Sequence, residues 1–453
     1  MKKLKILFGF HDEYIGKLCK KYPKDFQIIR KRKENYLNFE SDLKFYDYPS
    51  FEYHEKLNSI DNNLDKLIKN IIWNEQTLML YDRDFSGINF GTLSLRSVKI
   101  TNYILSCISL LKKLNPKFIF FHNMPHQFKS WVFAIIAETL GSKIVYPEFT
   151  VIPWRYYLVE GIGNPGKLIA KNNKISKTKD EIATITSLFK LRALNSEKSI
   201  PKYASNIKKN YNLRFISDFK KYWNRPDLVL NKYLCYNQYK KLQYNQNPRK
   251  KDVVFFLHYQ PELSTLPRGY GFAQQFQAIN LIAHSLPNGT NLYVREHPST
   301  FENLCTWKER TREFYKSIVN LPNVRILSLN KPSYKIINRC DTIATISGTS
   351  AIEALARGKK AIIFSPVGPY MMLDNENLHK YKDLKNLKNF LKKKIVKRKD
   401  DFIKSLRNYD KYTMSGIEKK IKDINKMNTV NLKWRDNARV KWIDFLIKSQ
   451  ISK

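Results

Sequence analysis

Short apolar runs rich in β-branched and aromatic residues alternate with helical stretches along most of this chain, and each run ends in a cluster of small or polar residues. Between 251 and 366 the runs are "DVVFFLHY" (252–259), "NLYVREHP" (291–298), "VRILSL" (324–329), "TIATIS" (342–347) and "KAIIFSP" (360–366). The helical stretches "GFAQQFQAINLIAHSLP" (271–287) and "SAIEALARG" (350–358) lie among them. Near-continuous apolar runs of this length belong to strands buried on both faces. Strand, helix, strand with short connections is the βαβ pattern, and its repetition predicts a doubly wound parallel sheet. The first 160 residues repeat the theme. "LKILFGF", "KFIFFHN" (117–123) and "KIVYPEFT" (143–150) read as strands, 98–113 and "SWVFAIIAETLG" (130–141) as helices, the latter closed by Gly141.

At 453 residues the chain exceeds one ordinary core. The alternation predicts domains over 1–160 and 251–400. A Lys- and Asn-rich helical linker or insertion would occupy 161–250, and a basic helical tail 401–453. The basic helical stretch from 376 onward reads as a solvated face, with anionic lipid as the alternative contact. Lys and Arg number 81 against 40 Asp and Glu, a formal net charge of +41. That excess attracts polyanions, acidic membrane surfaces or anionic substrates, and by itself names none of them. Five scattered cysteines without a CxxC pair argue against a disulfide framework and a structural zinc, and predict free thiols in a reducing compartment. The N-terminal apolar run is too short for a signal peptide and is followed at once by His11, Asp12 and Glu13, so it reads as a first strand. No window of 18 apolar residues occurs. The expectation is a cytoplasmic protein, with the inner face of a bacterial inner membrane as a candidate contact.

Four stretches could carry chemistry. In "SGTS" (347–350) a turn of small hydroxyl residues opens a helix, so Ser347, Gly348, Thr349 and Ser350 could cradle an anion; the alternative is an ordinary Ser or Thr cap. Arg295, Glu296, His297 and Pro298 end a strand in "YVREHP", where a cation or an imidazole N–H suits a phosphate or a leaving group. The loop "HYQPELSTLPRG" after the domain's first strand gathers His258, Gln260, Glu262, Ser264, Thr265 and Arg268, with Glu262 placed to serve as base or nucleophile. In the first domain His122, Asn123, His126, Glu148, Thr150 and Arg155 follow strands and are candidates for an acceptor side. No GxGxxG after a strand, P-loop, HExxH, Cys/His cluster or G-x-S-x-G elbow is present.

Taken together, "FFLHYQPELSTLPRGYGFAQQFQAINLIAHSLPNGTNLYVREHP", "TISGTSAIEALARGKKAIIF" and "FFHNMPHQFKSWVFAIIAETLGSKIVYPEFTVIPWR" resemble bacterial capsule and surface polysaccharide biosynthesis proteins. These are GT-B-like glycosyltransferases that include Kdo transferases and relatives of bacterial sialyltransferases. The resemblance covers about 118–160 and 252–366. It implies an α/β fold of two Rossmann-like domains facing a central cleft, and transfer of a sugar from a CMP-activated donor to a glycan or lipid-linked acceptor. The implied sugar is an ulosonic acid: Kdo, sialic, pseudaminic or legionaminic acid. It implies no cofactor and no metal. By resemblance His297 and Pro298 form the His-Pro pair that holds the nucleotide phosphate, with Ser347, Gly348, Thr349 and Ser350 as its Ser/Thr turn and Glu353 at the ribose. Arg295 and Arg268 are candidates for the sugar carboxylate, and His258 and Gln260 join Arg268 on the donor-sugar side. Glu262 sits in the loop that carries the catalytic carboxylate of Kdo transferases, as Glu where Asp is expected; base and nucleophile stay open for it, as do retention and inversion. A CDP-polyol phosphotransferase or a UDP-sugar transferase of the same fold, a basic nucleic-acid-binding protein and a non-catalytic scaffold are the alternatives.

Overall fold

The computed structural model describes residues 5–8, 26–30, 45–47, 49–52, 62–72, 74–85, 93–150, 155–163, 166–169, 211–223, 226–260, 262–301, 310–396 and 412–415, with 402 and 405. The chain divides into two units: 1–174 with 409–453, and 175–408. Each is α/β and organised on its own largely parallel sheet, as expected from the sequence.

In the first unit, strands β1 (Lys5–Phe8), β2 (Phe26–Arg30), β3 (Phe45–Asp47), β4 (Phe118–Phe121) and β5 (Lys143–Phe149) lie in the order β3-β2-β1-β4-β5, all parallel. Strand β6 (Arg155–Glu160) turns back antiparallel on β5, and β7 (Lys167–Ile169) pairs with β6. The helix Leu93–Leu114 is amphipathic at the α period: Ile100, Tyr103, Ile104, Cys107, Ile108 and Leu111 are buried. It packs on the helix Phe128–Thr139, whose Trp131, Val132, Phe133, Ala134, Ile136 and Ala137 are buried almost all round. Each buried Val, Leu, Ile or Phe among them contributes about 1.5–3 kcal/mol of hydrophobic burial. Gly141, at φ +91°, ends this helix in a left-handed conformation that a side chain would strain.

The second unit holds β8 (Gln243–Tyr244), β9 (Val253–Phe256), β10 (Leu292–Arg295), β11 (Val324–Leu327), β12 (Thr342–Thr345), β13 (Lys360–Ile363) and β14 (Leu378–Lys380) in the order β14-β13-β12-β9-β10-β11-β8. All the pairings are parallel. Strands β9, β10, β12 and β13 are buried at every residue, which explains their largely apolar character; the buried charges Arg295 and Lys360 are hydrogen-bonded to backbone carbonyls.

Two segments lie elsewhere than the sequence suggests. The helix Pro226–Lys241, read as linker, packs Cys235 and Tyr239 into the second unit's core beside Phe301 and Tyr315, and β8 directly after it extends that sheet. Its inward stripe is Val229, Lys232, Cys235 and Tyr239, a polar-looking set that hides the core face from a hydrophobicity reading. From the basic tail, β15 (Thr413–Ser415) pairs antiparallel with β6 in the first unit. The basic helix Leu384–Lys392 buries Leu387, Phe390 and Leu391, and its last carbonyls are held by a buried lysine on β13: Lys360 Nζ donates to Phe390 O (3.1 Å), Leu391 O (3.0 Å) and Lys393 O (2.8 Å). Among the described residues no helix is long and apolar enough to cross a membrane. Cys107, Cys235 and Cys340 are buried free thiols; Cys19 and Cys305 lie outside the described residues.

Candidate functional site

In the second unit the chain leaves β9 for β10 and β11 on one side, then crosses back to lay β12, β13 and β14 on the other. The order β11-β10-β9-β12-β13-β14 is that of a Rossmann sheet. Its reversal lies between β9 and β12, and in open α/β sheets the ligand crevice lies at such a reversal, at the carboxyl ends of the strands. Three of the four stretches singled out from the sequence exit at this edge, from β9, β10 and β12.

His258, two residues beyond β9, is 7% exposed and lies against the turn after β12. Ser347 N–H donates to His258 Nε2 (3.2 Å), and Thr345 Oγ1 is 3.0 Å from the same nitrogen. The neutral ring therefore carries its proton on Nδ1. Gly348 is required by this contact. A Cβ there would sit 2.8 Å from Thr345 Oγ1 and 3.1 Å from His258 Cε1. Gly348→Ala is expected to cost about 1–3 kcal/mol of stability by overpacking. Adding Thr345→Ala should recover part of that loss in thermal unfolding; a wild-type melting curve for Gly348→Ala alone would show that the turn yields freely.

The turn itself is not a side-chain cap. Gly348 occupies the cap position of the helix Thr349–Ala356, with no side-chain hydrogen bond. The Ser347 hydroxyl donates instead to Ser264 O (2.9 Å), and Tyr370 OH donates to Gly348 O. The first-turn N–H groups of this helix, with the partial positive charge they carry, thus face the sheet edge without a capping side chain. Ser350 lies in that first turn, and Glu353 one turn further along, beside Arg357.

The loop leaving β9 is tied down twice, by Ser347 to Ser264 and by the Ser365 hydroxyl to Arg268 O. This brings Glu262 and Arg268 to the same edge. Glu262 keeps solvent access, yet the surrounding loop desolvates its carboxyl and raises its pKa, while the Ser264 hydroxyl and Arg268 pull the other way. A carboxyl so shifted is a stronger base than a free one.

His297 follows β10, and Pro298 opens the short 3-10 helix Pro298–Phe301. Ser299 N–H donates to His297 Nδ1 (3.2 Å), which leaves the neutral ring's proton on Nε2, opposite to His258. Burial pushes the His258 pKa down to about 3, with the His297 and Arg310 charges adding to it. His297 falls to about 4, again chiefly by burial. Both rings are neutral N–H donors at neutral pH, so neither is the cation that the sequence left open.

Beneath them lies a buried polar network. Glu296 accepts from His297 N (2.7 Å), Thr300 Oγ1 (3.0 Å), Arg310 Nε (2.8 Å) and Tyr315 OH (2.9 Å). Arg310, 1% exposed, also donates to Gln260 Oε1 (2.6 Å) and His258 O (3.0 Å). Gln275 closes the lattice by accepting from His258 N (2.7 Å) and donating to Gln260 Oε1 (2.9 Å). Arg310, Gln275, Tyr315 and Thr345 hold the site and were not among the residues expected there, and Glu296 was noted without this anchoring role. Only Glu296, inside "YVREHP", carried a sequence signal.

Two expected contact residues are turned inward. Gln260 is 2% exposed, and its amide is taken up by Arg310, Gln275 and Ala273 O. Arg295 is 4% exposed and donates to Leu329 O (3.5 Å) and Lys331 O (3.0 Å), so its guanidinium fastens the loop after β11. Both support the edge from below rather than line it.

The acceptor-side candidates belong to the first unit. His122 and Asn123 directly follow β4, at that sheet's own reversal between β1 and β4. His126 Nδ1–H donates to Met124 O (2.9 Å). Glu148, buried on β5, accepts from Tyr157 OH (2.7 Å), and Thr150 is half-buried just beyond that strand. Arg155 begins β6, and its side chain lies outside the described residues.

The two depressed imidazoles set a pH dependence. In the unfolded chain each takes up a proton near pH 6.5. The folded rings do so only near 3 and 4. Below 6.5 the unfolded state binds more protons, so stability falls as pH drops from about 6.5 toward 4, by up to about 1.4 kcal/mol per pH unit for each ring. Urea unfolding at pH 7 and pH 5 should show the loss, reduced in His258→Asn; equal losses in both proteins would remove His258 as a cause.

Residues 164–367 match the family model described as "Capsule polysaccharide biosynthesis protein". The match encloses His258, Glu262, His297 and the 347–350 turn, and over 252–366 it bears out the resemblance read from the sequence; the stretch 118–160 lies outside it. No curated protein matches the chain in sequence. Among solved structures, the chain is similar to the β-Kdo 2,4-transferase of KpsC from Thermosulfurimonas dismutans (12% identity, 61% of this chain and 78% of that one, TM-score 0.32). It is also similar to the β-Kdo 2,7-transferase of the same protein (11% identity, 70% and 88%, TM-score 0.28). A third is the UDP-GlcNAc 2-epimerase of Methanocaldococcus jannaschii in complex with UDP-GlcNAc and UDP (12% identity, 88% and 95%, TM-score 0.27). Likenesses this remote do not identify a ligand, and the residues must do so.

Proposed function

We propose that this chain is a glycosyltransferase of capsule or surface polysaccharide biosynthesis that moves an ulosonic acid from its CMP-activated form to a glycan or lipid-linked acceptor. The observation that carries the reading is the meeting, at the reversal of the second sheet, of an uncapped helix mouth at Gly348 with His258 and, one strand along, His297. Neutral N–H donors and a helix N-terminus are suited to a single phosphate monoester dianion. A CMP-sugar presents one phosphoryl group, and its departure needs that group's charge stabilised. These donors do so without a metal.

His297 offers Nε2–H and His258 offers Nδ1–H to the departing cytidylate. Arg268, in the Glu262 loop, is the cation for the sugar carboxylate, and Glu262 is the carboxylate at the anomeric side. With a raised pKa it takes a proton from the acceptor hydroxyl, or attacks as nucleophile in a double displacement.

A thermal-shift screen of CMP, CDP, UDP and GDP in buffer containing EDTA tests the donor class. The expected result is the largest rise in melting temperature with CMP. Preference for CDP would move the reading to a CDP-polyol phosphotransferase, and preference for UDP would overturn the cytidylate assignment.

A further inference from the structure

The helices Tyr211–Lys221 and Pro226–Lys241 form a hairpin in the second unit. Phe215 packs on Tyr233 (ring centroids 4.7 Å apart), and Lys232 pairs with Asp218 (2.5 Å). These contacts fix which face of the first helix turns inward. The outward face carries Ile216, Phe219 and Lys220 at helical spacing, and Trp223 continues the stripe into the turn. Their exposure is unusual for apolar side chains: Trp223 is 77% exposed, Ile216 55% and Phe219 47%, with Leu230 on the second helix at 51%. A contiguous apolar stripe of this kind marks an interaction surface.

We infer that this stripe is the docking surface for an anionic lipid bilayer. Three features select that occupant. Trp223 follows the first helix and is the most exposed of the large apolar side chains described, and tryptophan is the side chain that settles at headgroup level. Lys220 lies within the stripe, and Lys240 and Lys241 are exposed at the other end of the second helix, while Asp227 is exposed at the end beside Trp223. A second copy is a poor fit, because it would bring together two chains that each carry a formal charge of +41. Each lysine near an anionic surface adds about 1 kcal/mol of attraction at low salt.

Flotation of the full chain with phosphatidylcholine vesicles, with and without phosphatidylglycerol, tests the inference. The protein should float with the phosphatidylglycerol vesicles, and the double variant Trp223→Ser, Phe219→Ser should partition about tenfold less or weaker still. Trp223→Tyr should retain most binding, and the CMP thermal shift should be the same in all these variants, so this inference can fail without the proposed function failing. Undiminished flotation of the double variant would overturn it by placing the contact elsewhere on the basic surface. So would absence of flotation by the wild type. A concentration-dependent dimer in sedimentation velocity that Trp223→Ser abolishes would assign the stripe to a second copy instead.

Discussion

Arg310→Met is expected to lower the unfolding free energy by about 3–5 kcal/mol, the range for breaking a buried ion pair by removing one partner. Arg310 and Glu296 are 1% and 0% exposed at their side chains, 2.8 Å apart. Removing the guanidinium leaves Glu296 as a buried carboxylate with three donors, His297 N, Thr300 Oγ1 and Tyr315 OH. It also strips a donor from Gln260 Oε1 and from His258 O. Lysine should not substitute, because one ammonium cannot reach three acceptors set at the angles of a guanidinium fork. The double variant Glu296→Gln, Arg310→Met should be less damaged than the sum of its singles, with a coupling of about 1–3 kcal/mol. Urea unfolding of the four proteins measures it. A loss below about 1 kcal/mol for Arg310→Met would mean that water or a neighbour replaces the guanidinium, and that this pair does not anchor the site.

The location of Arg310 also explains where sequence reading stops. It stands in "WKERTREF", a run whose charge density reads as solvent-exposed. Nothing local distinguishes the one arginine that tertiary contacts bury. The central strands were legible for the opposite reason: in a parallel sheet covered on both faces, burial is written into every residue of "VVFF", "LYVR", "TIAT" and "KAII". The turn after β12 and the His-Pro exit of β10 were legible because small or polar residues directly beyond a buried strand have few other uses. Gln260 and Arg295 share those positions, yet their side chains turn back into the protein. Chain position gives the strand edge a residue occupies, and only packing decides whether its polar end faces the crevice or the core. The helix Pro226–Lys241 was obscured in a different way. Its inward stripe includes Lys232, whose charge is neutralised by Asp218 from the preceding helix, a partner that no periodicity within the helix itself can supply.

His297→Ala should lower the rate of sugar transfer by about 10²–10³-fold, the usual effect of losing one positioned donor to developing charge, with a much smaller loss of stability. His297→Gln should recover part of the rate, since its amide can donate where Nε2–H did. Proton linkage separates this role from a merely structural one. In the free protein His297 stays neutral until about pH 4. A phosphate dianion beside the ring favours imidazolium and raises that pKa in the complex. Between about pH 4 and the raised value, His297 takes up a proton on binding, and this contribution strengthens CMP affinity as pH falls through that window. The phosphate of CMP titrates in the same region and contributes a background of opposite sign, which His297→Gln carries alone. Calorimetry in two buffers of different ionisation enthalpy should therefore show proton uptake by the wild type in excess of the variant. Identical proton uptake by the two proteins would mean that His297 does not meet the phosphate, and the pair His297–Pro298 would then serve only to end β10.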